Sequence, residues 1–319
     1  MCGADIYITG LQKNFRKYRD DHFADLEDLF EIHKGGAVVF KPGQVENNLL
    51  IPPWCSANER EHIIEKILPT KRHKHFGSMR SSQALAQSVF GTIEVLNKLP
   101  LLSEVKSEDG LPAFGPMVSQ AKLDFEKEIQ TLGEPRRTSI DVWFEGPYRV
   151  AVECKLSEDG FGTCSRTRLR PKNPSYATQY CDGSYTYQRN RTARCSLTTL
   201  GVRYWDHTEE LFGWPRETDH PRCPLASRYQ LVRNILAACV DETGARDLKR
   251  GHALIIYDAR NPSMVSGGEG DRQWSKTSDA LKKPELLRRL SWQAFISQWP
   301  KDPVLGWLKQ ELVAKYGLI

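Results

Sequence analysis

The sequence has no apolar run approaching the roughly 20 residues that cross a bilayer, and its start lacks the charged-then-apolar pattern of an export signal. A cytoplasmic protein with no membrane partner is the expectation. There is no glycine-rich Walker loop, so ATP-driven work within this chain is not expected. Internal repeats are missing too, which excludes solenoids and propellers. Eight cysteines occur, yet none stands in a CxxC pair, and a reducing compartment disfavours disulfides. Cys2 would be an N-terminal nucleophile after loss of Met1, but nothing else in the chain supports an amidotransferase.

What is present is a chain of 319 residues, long enough for a sizeable core as one elaborated domain or a core with appendages. A net charge of +5 and a pI near 8.7 are compatible with a nucleic-acid partner without demanding one.

The most informative stretch is Thr138–Glu158. Ile140, Val142 and Phe144 alternate with Asp141 and Trp143; after Gly146-Pro147, Val150, Val152, Cys154 and Leu156 alternate with Ala151, Glu153 and Lys155. That is a strand, a tight turn and a second strand. Period two puts Glu153 and Lys155 on one face, and folding across the turn brings Asp141 near Glu153. The bland reading is a Glu–Lys pair on the wet face of a hairpin. The chemical reading is a site for a divalent cation. Mg²⁺ takes hard oxygen ligands, and one or two carboxylates plus substrate phosphate oxygens suffice. Asp141 and Glu153 would be those ligands, with the Cys154 carbonyl as a further candidate, and Lys155 would position a water or a phosphate oxygen.

At these residues the chain resembles the PD-(D/E)XK nuclease superfamily, with Asp141, Glu153 and Lys155 as its D, E and K. Arg80–Gly91 (RSSQALAQSVFG), Glu153–Ser165 (ECKLSEDGFGTCS), Gly201–Trp205 (GVRYW) and Arg228–Asn234 (RYQLVRN) further resemble a bacterial family of restriction endonucleases within it. The resemblance covers roughly residues 75 to 319. It implies a restriction-endonuclease-like fold and a DNA endonuclease dependent on Mg²⁺ or Mn²⁺, working in restriction or defence. A homodimer is compatible with cutting both strands, though no motif in the chain demands one. The competing readings are a non-catalytic nucleic-acid-binding module, and a nuclease for RNA, single-stranded or branched DNA.

Periodicity elsewhere gives an α/β chain with the order helix–three strands–helix–strand, and the resemblance implies that this core is a central mixed sheet flanked by helices. Residues 1–80 read as an N-terminal extension with helical patterns at Phe23–Ile32 and Asn58–Ile67 and a strand at Ala37–Phe40. Its basic run Lys71–His75 is either a DNA contact or a solvated loop. Residues 81–260 form the core: Ser81 or Ser82 caps a helix to about Asn97, strands follow at 123–129, 138–145 and 148–156, then a helix at 225–240 and a strand at 252–258. On the first strand Glu126 and Glu128 share a face, and one would supply an additional carboxylate, unless both are surface residues. Gln230, Arg233 and Asn234 are candidates to reach the scissile phosphate, or to hold the insertion in place.

Residues 157–224 read as an irregular insertion. Arg166, Arg168, Arg170 and Lys172 within it, with Arg136, Arg137, Arg189, Arg191 and Arg194, would line a groove for the phosphate backbone. The insertion also holds Cys164, Cys181, Cys195 and Cys223, separated by 16, 13 and 27 residues, with His220 nearby. These are reduced thiols, or ligands to zinc or an iron–sulfur cluster. Ser266–Gly270 reads as a mobile loop, and 261–319 as a C-terminal helical region packed on the core.

Overall fold

The computed structural model describes residues 3–24, 26–31, 36–134, 138–188 and 192–319. The alternating segments form five strands adjacent in chain order: β1 (Lys122–Ile129), β2 (Thr138–Glu145), β3 (Arg149–Cys154), β4 (Gly251–Tyr257) and β5 (Leu287–Ser291). β1, β2 and β3 pair antiparallel; β3, β4 and β5 pair parallel. Parallel neighbours need crossovers. The β3–β4 crossover carries the insertion and a helix, Tyr229–Cys239, and the β4–β5 crossover carries a helix at Glu269–Ser278.

In chain order the main helices are α1 (Gly3–His22), α2 (Ala57–Glu65), α3 (residues 82–95), α4 (Tyr229–Cys239), α5 (Glu269–Ser278), α6 (Trp292–Ser297) and α7 (Pro303–Tyr316). α3 is continuous but widens to a π-turn at Gln87–Gly91, and Ser81 caps it by accepting from Ala84 N at 3.2 Å. On one face of the sheet, Val142, Phe144, Val150, Val152, Leu254 and Ile256 pack with α1, α3, α6 and α7. On the other, Ala151, Ala253 and Ile255 pack with Leu231, Val232, Ile235 and Leu236 of α4 and with Phe161 and Trp205 of the insertion. The central strands are therefore buried on both sides, and all seven residues of β4 are buried. The fold is mixed α/β, a five-stranded mixed sheet flanked by helices.

The expected order of helix, three strands, helix and strand is present, with differences that have physical causes. The hairpin has no wet face: α4 covers the side where Glu153 and Lys155 project. β5 was not expected, because Arg288 and Arg289 interrupt its apolar pattern. Arg288 is nonetheless buried, bonded to the carbonyls of Glu285 and Pro112, while Arg289 bonds Glu108 and Asp271 at 2.7 Å each. The long amphipathic α1, with Tyr7, Leu11, Phe15 and Tyr18 inward, was also missed. Phe23–Ile32 is not helical where described: it holds only a 3₁₀ turn at Glu27–Leu29, because Phe23 and Phe30 turn in to pack on Phe40. Ala37–Phe40 makes isolated bridges, Val39 with Ser78 and Phe40 with Phe30, rather than a strand. Asn58–Ile67 is helical as α2, opened by a reciprocal Ser56–Glu59 cap.

Ser266–Gly270 leads into α5 through a turn that is close-packed at Gly268 and Gly270 and open at Gly267. A Cβ on Gly268 would lie 2.1 Å from the Pro262 carbonyl oxygen, so only glycine lets the two backbones approach. Where described, residues 157–224 are irregular, with short helical turns and a Tyr185–Trp205 ring stack at 3.3 Å. No helix among the described residues is long and apolar enough to cross a membrane.

Candidate active site

Strand register builds the site. Phe125 pairs with Val142 and Lys127 with Ile140, which sets Glu126 across from Asp141. Val142 pairs with Val152, so one step along Asp141 lies across from Glu153. Three carboxylates thus form a row across β1, β2 and β3. The Glu126–Asp141 step is the gap in the β1–β2 pairing, and Glu126 has φ of 49°. Left-handed backbone at a non-glycine residue is strained, and such strain gathers at functional sites. Here it ends the alternation of β1: Glu126 turns into a cleft, while Glu128 lines a separate shallow recess with Lys66 and Lys71. The two glutamates do not share a face, and Glu128 does not join the row.

Burial makes the row electrostatically costly. Desolvation, then the charges of Glu153 and Glu126, pushes Asp141 well above the ordinary carboxylate range. Glu126 is raised as well, chiefly by burial. Glu153 behaves differently: burial works against its charge, but Lys155 and Arg233 outweigh it and hold the carboxyl below its usual value. Lys155 is only 5% exposed, yet the pull of Glu153 overcomes desolvation and keeps it protonated.

α4 supplies the polar groups that make this tolerable. Lys155 Nζ donates to Glu153 Oε1 at 2.8 Å and to Gln230 Oε1 at 3.0 Å. Asn234 Nδ2 donates to Glu153 Oε2 at 2.9 Å, and Arg233 donates to Asn234 Oδ1 and the Ser139 carbonyl. Gln230, Arg233 and Asn234 therefore serve the carboxylate row rather than only bracing the insertion. Asp141 Oδ2 accepts from Cys154 N at 2.7 Å, which fixes the carboxyl beside β3.

Three contributors were not expected. Gln83 on α3 donates to Glu126 Oε1 at 2.6 Å while its own oxygen accepts from His73 N at 2.8 Å. Glu158 takes Ser82 Oγ and Leu156 N at 2.5 and 2.7 Å. Tyr7 on α1 donates to the Leu156 carbonyl at 2.6 Å and tethers the end of β3. Glu158 left a trace in the sequence as the second acid of the ECKLSE run, and Gln83 lies within the RSSQALAQSVFG run, though without a role assigned there; Tyr7 acts through tertiary placement.

These groups open on a cleft of about 1170 Å³. Its floor carries Glu126, Asp141, Glu153, Lys155 and Gln230; its opposite wall is formed by residues 37–42 and 73–82 of the N-terminal region. Among the described residues, no three His, Cys, Asp or Glu side chains stand ready as a metal cage. A magnesium ion does not need one: two carboxylates, waters and substrate phosphate oxygens complete its shell. The donor set fits, since buried Glu126 and Glu153 beside half-buried Asp141, with Lys155 already paired, are short of positive charge.

The insertion residues lie elsewhere. Arg166 is half-buried against Gln179, and Arg168, Arg170 and Lys172 are exposed; none of the four lines the cleft. Arg136, Arg137, Arg189 and Arg191 lie outside the described residues. Arg194 is consumed by Glu217 and Asp219 at 2.9 and 2.6 Å. The described cysteines are free thiols. Burial, reinforced by Cys195 and Cys181, pushes Cys164 up to about 11, and Cys223 is raised by burial and by the other three. The four thiols are thus neighbours, and among the described residues they form no metal-ready group. His220 pairs its backbone with Tyr185.

A family profile described as "Restriction Endonuclease associating with ARP" matches residues 19–317. The chain belongs to that family. No curated protein and no solved structure matches it. The match begins within α1, so the family's span takes in the N-terminal wall of the cleft as well as the carboxylate floor. The resemblance legible in the sequence began only near residue 75.

Proposed function

We propose that this protein is a metal-dependent nuclease of the PD-(D/E)XK kind that hydrolyses phosphodiester bonds in DNA, in restriction or defence. The observation that carries the reading is the row Glu126–Asp141–Glu153 with Lys155 beside it, at the floor of a cleft. The family's description as restriction endonucleases agrees with it. The helix–three strands–helix–strand order, with Asp141 on β2, Glu153 on β3 and Lys155 just past the end of β3, agrees with what the superfamily resemblance implies.

Asp141 and Glu153 would hold the cation, Mg²⁺ or Mn²⁺, with Glu126 as the additional carboxylate. When bound, the ion would polarise the scissile phosphate and offset the charge growing on it. The chain's own groups do the rest. Lys155 has three N–H donors; Glu153 and Gln230 take two, which leaves the third for a water or a phosphate oxygen. Asn234 and Arg233 hold Glu153 ionised and oriented. Cys154 N fixes Asp141 so that its other oxygen is the one offered to the ion. Burial raises the worth of each of these charges.

The test is nicking or cleavage of plasmid DNA by purified protein in Mg²⁺ or Mn²⁺ against EDTA. Metal-dependent cutting that EDTA stops is the expected result. Tight DNA binding with no cutting under either ion would instead support a non-catalytic binding module.

A further inference from the structure

The cleft wall formed by residues 73–82 carries two cationic side chains, Lys74 and Arg80, that no described carboxylate pairs. His73, Lys74, His75 and Arg80 line the cleft and are exposed. Among the described residues, no carboxylate pairs with the side chains of Lys74, His75 or Arg80. The insertion contrasts with this: Arg194 is held by Glu217 and Asp219, Arg216 by Asp206.

The segment carrying this charge is also built to stay in place. Asn48 Nδ2 donates to the carbonyls of Phe76 and Ser78 at 2.6 and 2.8 Å, and Asn48 in turn accepts from the buried Lys315. Met79 N donates to the Val38 carbonyl and Phe40 N to that of Gly77. Arg72 donates to the Ile64 and Ile67 carbonyls and lies over the Phe76 ring. A Cβ on Gly77 would stand 2.9 Å from the Phe40 carbonyl oxygen, so the turn is packed to contact. Gln83 then joins this ledge to the floor, accepting from His73 N and donating to Glu126.

We propose that residues 73–80 form a phosphate-binding ledge that holds the backbone of a nucleic-acid strand across the cleft, above the Glu126–Asp141–Glu153 row. An acidic floor repels a polyanion everywhere except at a bound cation, so cations on the opposite wall are needed to bring the strand in and set its height. Lys74 and Arg80 are the principal contacts, and the insertion arginines are not part of this grip. The role of the strand rests on the nuclease reading; the binding itself does not, and it is measured without turnover.

The experiment is fluorescence anisotropy with labelled single-stranded and duplex DNA in EDTA over a range of salt. It compares the full chain, Lys74→Glu with Arg80→Glu, and a control carrying Arg168→Glu, Arg170→Glu and Lys172→Glu. All of the side chains changed are exposed, and thermal unfolding checks that each variant folds. The ledge variant is expected to bind about tenfold or more weaker, with its log K versus log salt slope reduced by roughly 1.4 for single strands or 1.8 for duplex. The control should bind as the parent does. Unchanged binding in the ledge variant, loss of binding in the control instead, or no nucleic-acid binding by the parent would each overturn the proposal. Cleavage assays on the parent and Asp141→Asn tell the two readings apart: a parent that never cuts but whose binding needs the ledge removes the nuclease and leaves the ledge standing. The ratio of single-strand to duplex affinity in the same titrations identifies which form the cleft takes.

Discussion

Two buried lysines sit in this molecule under opposite conditions. Lys155 lies on the cleft floor with Glu153 Oε1 at 2.8 Å, and its charge is favoured despite burial. Lys315, on α7 beneath the N-terminal wall, is fully buried with Asn48 Oδ1 at 2.8 Å and the Tyr18 and Tyr316 rings beside it. Burial lowers it to about 7, and Glu311, itself held by Tyr18, only partly opposes this. Burial alone therefore does not decide whether a lysine keeps its charge; the carboxylate partner does. The floor sets opposite charges side by side at the base of the cleft, whereas the buttress uses one amine as a donor to fix a backbone.

The largest expected effect comes from breaking the Lys155–Glu153 pair. Glu153→Gln leaves a buried ammonium without its partner, which costs about 3–5 kcal/mol of stability, and cleavage should fall below detection. Adding Lys155→Met should recover most of the stability in urea unfolding and none of the activity. If Glu153→Gln is as stable as the parent, the floor is not an ionised pair.

Next in size is the pH response of Lys315. Its folded pKa near 7 lies below the ordinary value of 10.5, so between those limits the unfolded chain binds more protons. Stability from this group must then rise with pH from about 7 upward, by at most about 1.4 kcal/mol per unit, and be flat below. Lys315→Met should lose that rise. The parent-minus-variant difference in urea unfolding should climb from pH 7 to pH 9; a difference that stays level would place Lys315 with Lys155 as a charged group.

A smaller effect is expected at Gln83, which ties the wall to the floor. Gln83→Ala leaves Glu126 without that donor and should destabilise by about 1–3 kcal/mol while slowing cleavage more than it weakens binding. Equal losses in both would make Gln83 a structural bond only. Smallest is Glu126→Gly, which relieves the left-handed strain of φ 49°. Stability should change by no more than about 1 kcal/mol, whereas cleavage should drop clearly. Full activity would remove Glu126 from the site.

The floor was legible in the sequence because a hairpin has few degrees of freedom. Alternation through Ile140–Phe144 and Val150–Leu156 sets the faces, and Gly146-Pro147 sets the turn, so Asp141 and Glu153 had to meet. The side on which they meet was not legible, since the covering helix α4 follows only after the whole insertion. The opposite wall was hidden for the same reason: Phe40, Asn48 and Gly77 are unremarkable locally, and their contacts are long-range. Glu126 was read with Glu128 because strict alternation was assumed, and a positive φ at a glutamate leaves no sequence signature. Arg288 and Arg289 masked β5, their charges being answered by Glu108, Asp271 and carbonyls that only the folded chain brings near.

The carboxylate row is probed most sharply by Asp141→Asn, which keeps shape and removes one charge. Mn²⁺ binding and plasmid cleavage would be followed in parent and variant side by side. The parent should bind Mn²⁺ and cut; the variant should fold as stably or more so, lose the ion and fail to cut. A variant that still binds Mn²⁺ and cuts at the parent's rate would remove the row from the chemistry.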